Sequence, residues 1–186
     1  MPSKTVQTFA QRVAMEALRP DEAVKYGVPG AQGFAIKQGD AVGVITASGK
    51  AHRRSRTAAA GTGFAINSLV GQVVDSGVFV RGDVLKNEGG ETIGTVDTVD
   101  ATQNPNIVTL TANAQVVVAA GDAVMASDGS QVAQGISDVE TDGADDQTSI
   151  EVFIGGYLVE SRCRGLDASA KEELNGASVI GGMFKF

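Results

Sequence analysis

Short runs rich in valine, separated by glycines, make up most of this chain. Its 186 residues include 24 Gly, with 2 Tyr, 7 Phe and no Trp. Val and Ile are branched at Cβ and suit a pleated strand better than a helix, while glycines between such runs favour tight turns. The sequence therefore predicts a mainly β fold with a compact β-barrel or β-sandwich-like body. The candidate strands lie at 34–36, 41–45, 64–74, 78–80, 83–86, 91–100, 106–111, 115–118, 123–126, 131–139 and 148–158.

The N-terminus carries a helical pattern instead. Val6, Phe9 and Val13, with intervening alanines, follow the spacing of one helical face. Pro20 ends the pattern because proline lacks an amide donor. We expect an N-terminal amphipathic helix or arm whose apolar face lies against its own barrel, a neighbouring subunit or a different protein.

The C-terminus predicts a second, short helix. Ser169 and Glu172 have the spacing of a capping box, and Asp167 precedes them. Gly176 is a suitable C-terminal cap. The last residues, 183–186 (MFKF), end on an aromatic side chain and are expected to pair as a terminal strand or to be buried in an interface.

Charge is distributed unevenly along the chain. Residues 1–60 contain nine Lys and Arg against four Asp and Glu, or +5, while the rest contains six against eighteen, or −12, which gives the net −7. Small and basic residues at 47–63 lack an apolar period and predict a long mobile loop. We therefore divide the chain into an N-terminal helix or arm and basic loop (1–60) and a β-rich body with a short C-terminal helix and terminal strand (61–186). Two solvated faces of different charge are the alternative interpretation.

The positively charged N-terminal part is the candidate partner-binding region, since such an arm suits an acidic surface. A nucleic-acid partner is not expected, because the chain is acidic (pI about 4.7) and no aromatic residues accompany the arginines. The candidate partner-binding residues are Val6, Phe9, Val13, Arg53, Arg54 and Arg56.

One short motif recurs along the chain. Gly-Asp followed by two apolar residues begins at Gly39, Gly82 and Gly121. Glycine tolerates an unusual backbone dihedral and Asp caps nearby amides. The motif therefore predicts a tight corner that leads into an inward-facing strand, although three copies of four residues do not establish a repeat architecture.

The candidates for catalytic chemistry are few. A Ser–His–acid set requires a histidine, and His52, the one histidine, lies in the segment predicted to be mobile, where we expect it to be solvated. Cys163 is the one cysteine, which excludes an internal disulfide, and the expected state is an inert or partly buried thiol. We therefore expect a non-enzymatic protein without catalytic or cofactor-binding residues.

An acidic segment resembles the start of a calcium-binding loop. Asp138, Glu140, Asp142 and Gly143 occupy suitable positions, but the twelfth position, which should supply a bidentate Glu, is Ser149. A solvated strand edge is therefore favoured over an adventitious divalent site, and no metal is expected.

The sequence also bears on location. It has no apolar run long enough to span a bilayer, and its first residues lack the profile of a signal peptide. We expect a chain that does not contact a membrane and is made and used without secretion.

Three segments carry a likeness to a known family. The string GDVLKNEGGETIGTVDTVDATQNPNIVTL from Gly82, then AAGDAVMASDGSQVAQGI, resembles the β-rich head decoration (capsid cement) proteins of tailed bacteriophages. The closing segment GLDASAKEELNGASVIGGMFKF is similar to theirs as well. The likeness covers about two-thirds of the chain. It is a likeness in general sequence character and in the order of the segments, and residues 1–60 contribute little to it.

The resemblance implies a structural virion protein on the outer capsid surface, made in the host cytoplasm. Its partners would be the major capsid protein and copies of itself, commonly as a homotrimer, and it would stabilise the expanded head. Two alternatives stay open. One is another virion module of the tail or baseplate, and the other is an enzyme or a carbohydrate-binding domain. The scarcity of Trp and Tyr counts against sugar binding, because sugar sites usually stack on such rings.

Overall fold

The computed structural model describes residues 24–30, 34–143, 149–157, 160–176 and 184–185. They are mainly β, as the sequence predicts. The predicted N-terminal helix, with Val6, Phe9 and Val13, lies outside the described residues. The elements in chain order are β1 (Val24–Pro29), β2 (Ala41–Val44), β3 (Ala51–Arg53), β4 (Arg56–Phe64), β5 (Val70–Val73), β6 (Val84–Asn87), β7 (Thr92–Asp100), β8 (Asn106–Leu110), β9 (Ala123–Ala126), β10 (Gly135–Ser137), β11 (Ser149–Tyr157), α1 (Ala168–Gly176) and β12 (Phe184–Lys185).

The chain divides into two compact units. Among the described residues, the sheet unit comprises 24–30, 34–42, 49–53, 133–143, 149–157, 160–176 and 184–185, and the barrel unit comprises 43–48 and 54–132. The predicted boundary at residue 60 falls inside β4. The predicted mobile loop at 47–63 is wrong, since β3 and most of β4 occupy it. The small residues that suggested a loop are instead suited to closely packed strands. A search for alternating apolar residues does not detect such strands.

The barrel unit is a closed six-stranded barrel in the order β4-β5-β8-β7-β6-β9. Apolar residues from all six strands point inward and form one core. Leu85, Val96, Val108 and Val124 are each fully buried there, one from each of four strands. Where β5 passes the ring of Phe64, the chain has Gly71, at which a Cβ atom would lie 2.0 Å from Phe64 Cε1. Interior packing, and not turn geometry, therefore requires this glycine.

The sheet unit contains the order β1-β11-β10-β2-β3, and β12 pairs in parallel with β11. Consecutive residues of β11 point to opposite faces of the sheet. Val152 packs with Val42 and Ile36 on one face, whereas Phe153 packs on the other with Ala41, Ile136 and the helix residues Ala170 and Leu174. The predicted terminal strand is confirmed for residues 184–185.

The short C-terminal helix is confirmed, but its cap differs from the predicted one. Asp167 Oδ1 accepts a hydrogen bond from the Ala170 amide at 2.7 Å, so Asp167 is the N-cap. Ser169 lies inside α1, where its hydroxyl donates to Glu173 Oε1 at 2.8 Å. Glu173 Oε2 in turn accepts from the Ala133 amide at 2.7 Å, which ties the helix to the chain entering β10.

The three Gly-Asp motifs form the predicted tight corners. Gly39, Gly82 and Gly121 have φ values of 86°, 96° and 94°, the left-handed region that glycine tolerates. In each corner the Asp side chain accepts from the amide three residues earlier, at 2.8, 2.8 and 3.1 Å. The strands β2, β6 and β9 follow directly, and their second residues are buried.

Several strand limits differ from the prediction. The predicted strand at 64–74 is the end of β4, a connection at 65–69, and β5. The predicted strand at 78–80 is wrong, since residues 76–78 form a 3₁₀ turn capped by Asp75 and residues 79–80 are not in a strand. Residues 115–118 form an isolated bridge between Val118 and Phe64, and β1 was not predicted. Valine content identifies extended segments, but it does not show where the backbone turns.

Candidate functional site

The basic segment is built into strands and their junction. Arg53 ends β3 and Arg56 begins β4. Arg54, between them, is 3% exposed. The three arginines therefore belong to strands or to the residues that join them rather than to a long loop, and Arg54 offers little surface to a partner.

Arg53 faces a buried carboxylate within the sheet unit. Asp40, whose side chain is 3% exposed, lies 3.4 Å from Arg53 Nε and 2.8 Å from Arg164 Nε. Arg164 also donates to the Gln38 carbonyl at 2.9 Å, and Asp40 accepts from the Lys37 amide. Asp40 thus joins β3, the Gly39 turn and the segment before α1. Sequence reasoning missed Arg164 because 124 residues separate it from Asp40.

Arg56 lies at a polar cavity of about 390 Å³ on the barrel unit. Its guanidinium forms an ion pair with Glu88, and its side chain is 15% exposed. Asp122, the acid of the third Gly-Asp turn, lines the same cavity. Two carboxylates and one guanidinium suit water or a polar side chain from a partner. The other lining residues are Asn87, Gly89, Val117, Val118, Gly121 and Ala123.

The prediction of a solvated histidine is wrong. His52 is 2% exposed in β3, and its ring meets the edge of Phe34 with centroids 3.7 Å apart. Its Nδ1 lies 2.5 Å from the Arg53 carbonyl oxygen. His52 is therefore a packed residue of the sheet unit.

Cys163 is partly buried, as predicted. Burial raises the pKa of its thiol, and the negative charge of Glu160 raises it further. The neighbouring arginines do not produce the low pKa that a reactive thiolate requires.

The acidic segment 138–143 follows β10 as an irregular connection. Thr141 pairs with Ile36 through two backbone hydrogen bonds of 2.8 and 2.9 Å, and Asp138 accepts from Gln38 Nε2 at 3.4 Å. In the part of the chain that the structure describes, no cluster of three or more His, Cys, Asp or Glu side chains is arranged to hold a metal ion. Across the same residues, no helix has the length and apolar character needed to cross a membrane.

Comparison with known proteins gives no relative for this chain. No protein-family model matches it, and neither a curated protein nor a solved structure does.

Proposed function

We propose that this chain is a structural, non-catalytic virion protein that binds the outer surface of a phage capsid as a homotrimer and stabilises the expanded head. Its partners are the major capsid protein and other copies of itself. It needs no cofactor, because its role is to bury surface at many equivalent positions of a shell. Weak single contacts repeated by symmetry suffice for such a role.

The resemblance to head decoration proteins supports this proposal, and it falls on well-defined strands. Residues 82–110 supply the corner before β6 and then β6, β7 and β8, which are consecutive neighbours in the barrel. Residues 119–136 supply the third Gly-Asp turn, β9 and the start of β10. Most of these two segments therefore lies in the barrel unit, and only their last residues, from Ala133, belong to the sheet unit.

The observation that carries the proposal is the apolar surface of the barrel unit. Monomeric proteins rarely expose clustered large apolar side chains. Here Ile66, Leu69 and Val70 lie within five consecutive residues and are 55%, 48% and 45% exposed. A protein that works by repeated contact with copies and with a shell would cover such a surface.

The first test is to mix the purified chain with undecorated, expanded phage heads. We expect saturation at a fixed ratio to capsid subunits and a higher melting temperature of the heads. Unexpanded heads are the matched control, since they present a different lattice. A chain that binds neither expanded nor unexpanded heads would contradict the proposal. Binding to tail or baseplate structures would favour the alternative virion module.

A second test addresses the N-terminal residues Val6, Phe9 and Val13. If residues 1–20 contact the capsid or a neighbouring subunit, a chain lacking them should lose head binding while its far-UV circular dichroism remains that of a β protein. Undiminished binding by the truncated chain would remove residues 1–20 from the proposed interface.

A further inference from the structure

Two long segments of the barrel unit contain no charged residue. Residues 57–74 and residues 101–121 lack Asp, Glu, Lys and Arg completely, although these make up 20% of the chain. The first segment covers β4 after Arg56, the 65–69 connection and β5. The second covers β8 and the connection that follows it. Charged residues stand at the borders of both segments.

The fold places these two segments side by side. β5 lies between β4 and β8 in the barrel, and Val70 to Val73 pair with Thr109 to Asn106. Beyond the strands, Ala114 exchanges backbone hydrogen bonds of 2.8 and 3.0 Å with Ser68 and Asn67. Phe64 and Val118 exchange two more of 2.9 Å. The segments therefore form one continuous charge-free sector, defined as residues 57–74 and 101–121.

The charge-free sector also carries much of the barrel's exposed apolar surface. Ile66, Leu69 and Val70 belong to it, as do Val74 and Val117, each 63% exposed. Depletion of charge together with exposed large apolar side chains is the composition of an interface core. The sector's residues that are not buried are comparable in number to the roughly 20–30 that one side of a standard interface supplies.

We propose that the charge-free sector is the self-association surface of this chain and faces the symmetry axis of its oligomer. Near a rotation axis each side chain lies close to its own copies, so any charge there meets a charge of the same sign. Copies of an uncharged, apolar surface can pack against each other without repulsion, whereas copies of the charged remainder of the barrel would repel each other. Other turns of the barrel unit carry acids such as Asp75, Asp122 and Asp128, so a contact between copies through those turns would set like charges against each other.

This inference deepens the proposed function and rests on it for the expectation of self-association. It assigns the contact between copies to the sector of β4, β5 and β8. Contact with the capsid then falls to other residues. The two assignments can be tested separately.

The test substitutes Val70, which projects outward from β5. We expect the full chain to form an oligomer of fixed mass in sedimentation equilibrium. V70E and V70K should each raise the dissociation constant of this oligomer roughly 100-fold, because a charge of either sign at position 70 would be buried beside the same charge on the other copies. The matched control is V99E, because Val99 is also a strand valine, 37% exposed, on β7 outside the sector. V99E should leave the mass unchanged.

Three results would overturn the inference. They are a wild-type chain that is monomeric at every concentration, a V70E oligomer of unchanged mass, and a V99E effect as large as that of V70E. Circular dichroism and thermal melting of each variant establish that the chain is folded. An oligomer that V70E dissociates, but that never binds heads, would leave this inference standing and refute the proposed function. Head binding by a chain that is always monomeric would refute this inference and the homotrimer, but it would leave the proposed binding to heads standing.

Discussion

The second Gly-Asp turn holds an aspartate whose protonation should change the stability of the barrel. Burial raises the pKa of Asp83 from 3.8 to about 6, the Val80 amide that donates to the carboxylate acts in the opposite direction, and the charge of Asp128 raises the pKa further. Between these two pKa values the folded chain binds the proton more tightly than the unfolded chain. The stabilisation is therefore complete below about pH 3.8 and is lost as the pH rises through about 6.

The size of this effect follows from the two pKa values. They differ by about 2, which for a completely buried group would correspond to ~3 kcal/mol. Asp83 is only partly buried, so water screens its charge, and we expect about 1–2 kcal/mol. D83N should remove this pH dependence, because the Asn carbonyl oxygen can still accept from the Val80 amide without carrying a charge. At pH 7 the variant should be more stable than the wild type by about the same amount.

The assay is urea unfolding of the full chain at several pH values from 4 to 8. The quantity of interest is the free energy of unfolding of D83N minus that of the wild type, since other titrating groups cancel in the difference. D122N is the matched control, because Asp122 occupies the same place in an exposed Gly-Asp turn. A difference for D83N that is flat from pH 4 to 8, or equal to that of D122N, would refute the reasoning.

Three further substitutions test the packing described above by urea unfolding at pH 7. D40A should lower the free energy of unfolding by about 3 kcal/mol, because it removes the carboxylate that balances the charges of Arg53 and Arg164. G71A should lower it by about 1–3 kcal/mol, because the new Cβ overlaps the Phe64 ring. D167A should lower it by about 1 kcal/mol through loss of the helix N-cap.

Each of these substitutions has a matched control. R81A removes the exposed Arg81–Asp97 ion pair and should change stability by less than about 1 kcal/mol. G89A adds a Cβ whose nearest neighbour, Asn87 Oδ1, is 3.4 Å away, and it should be tolerated. S169A should cost less than D167A because Ser169 is not the cap. A control as damaging as its partner would contradict the corresponding explanation.

Local chemistry predicted the features that depend on a few consecutive residues. The Gly-Asp turns follow from the freedom of glycine and the short reach of Asp, and both operate within four residues. The C-terminal helix followed from its pattern, although Asp167 took the capping role expected of Ser169. The β class followed from branched side chains and glycine spacing.

Features that depend on distant residues could not be predicted in this way. Small and basic residues at 47–63 lack an alternating pattern, so strands β3 and β4 were missed. His52 was expected to be solvated because it lies in the segment predicted to be a mobile loop, yet it is buried in β3 and packs against Phe34. The pairing of Asp40 with Arg164 has no signal in either local sequence.

The three Gly-Asp turns show how one motif acquires different roles from its surroundings. Asp40 is buried between two arginines and fastens three segments of the sheet unit. Asp83 is partly buried, and the charge of Asp128 is close enough to repel its own, so its charged form is disfavoured. Asp122 is exposed at a polar cavity. The backbone geometry is local and repeats, whereas the electrostatic role depends on which strands the fold brings close. The same reasoning applies to the charge-free sector, whose two segments are visible in the sequence but become one surface only because β5 lies between β4 and β8.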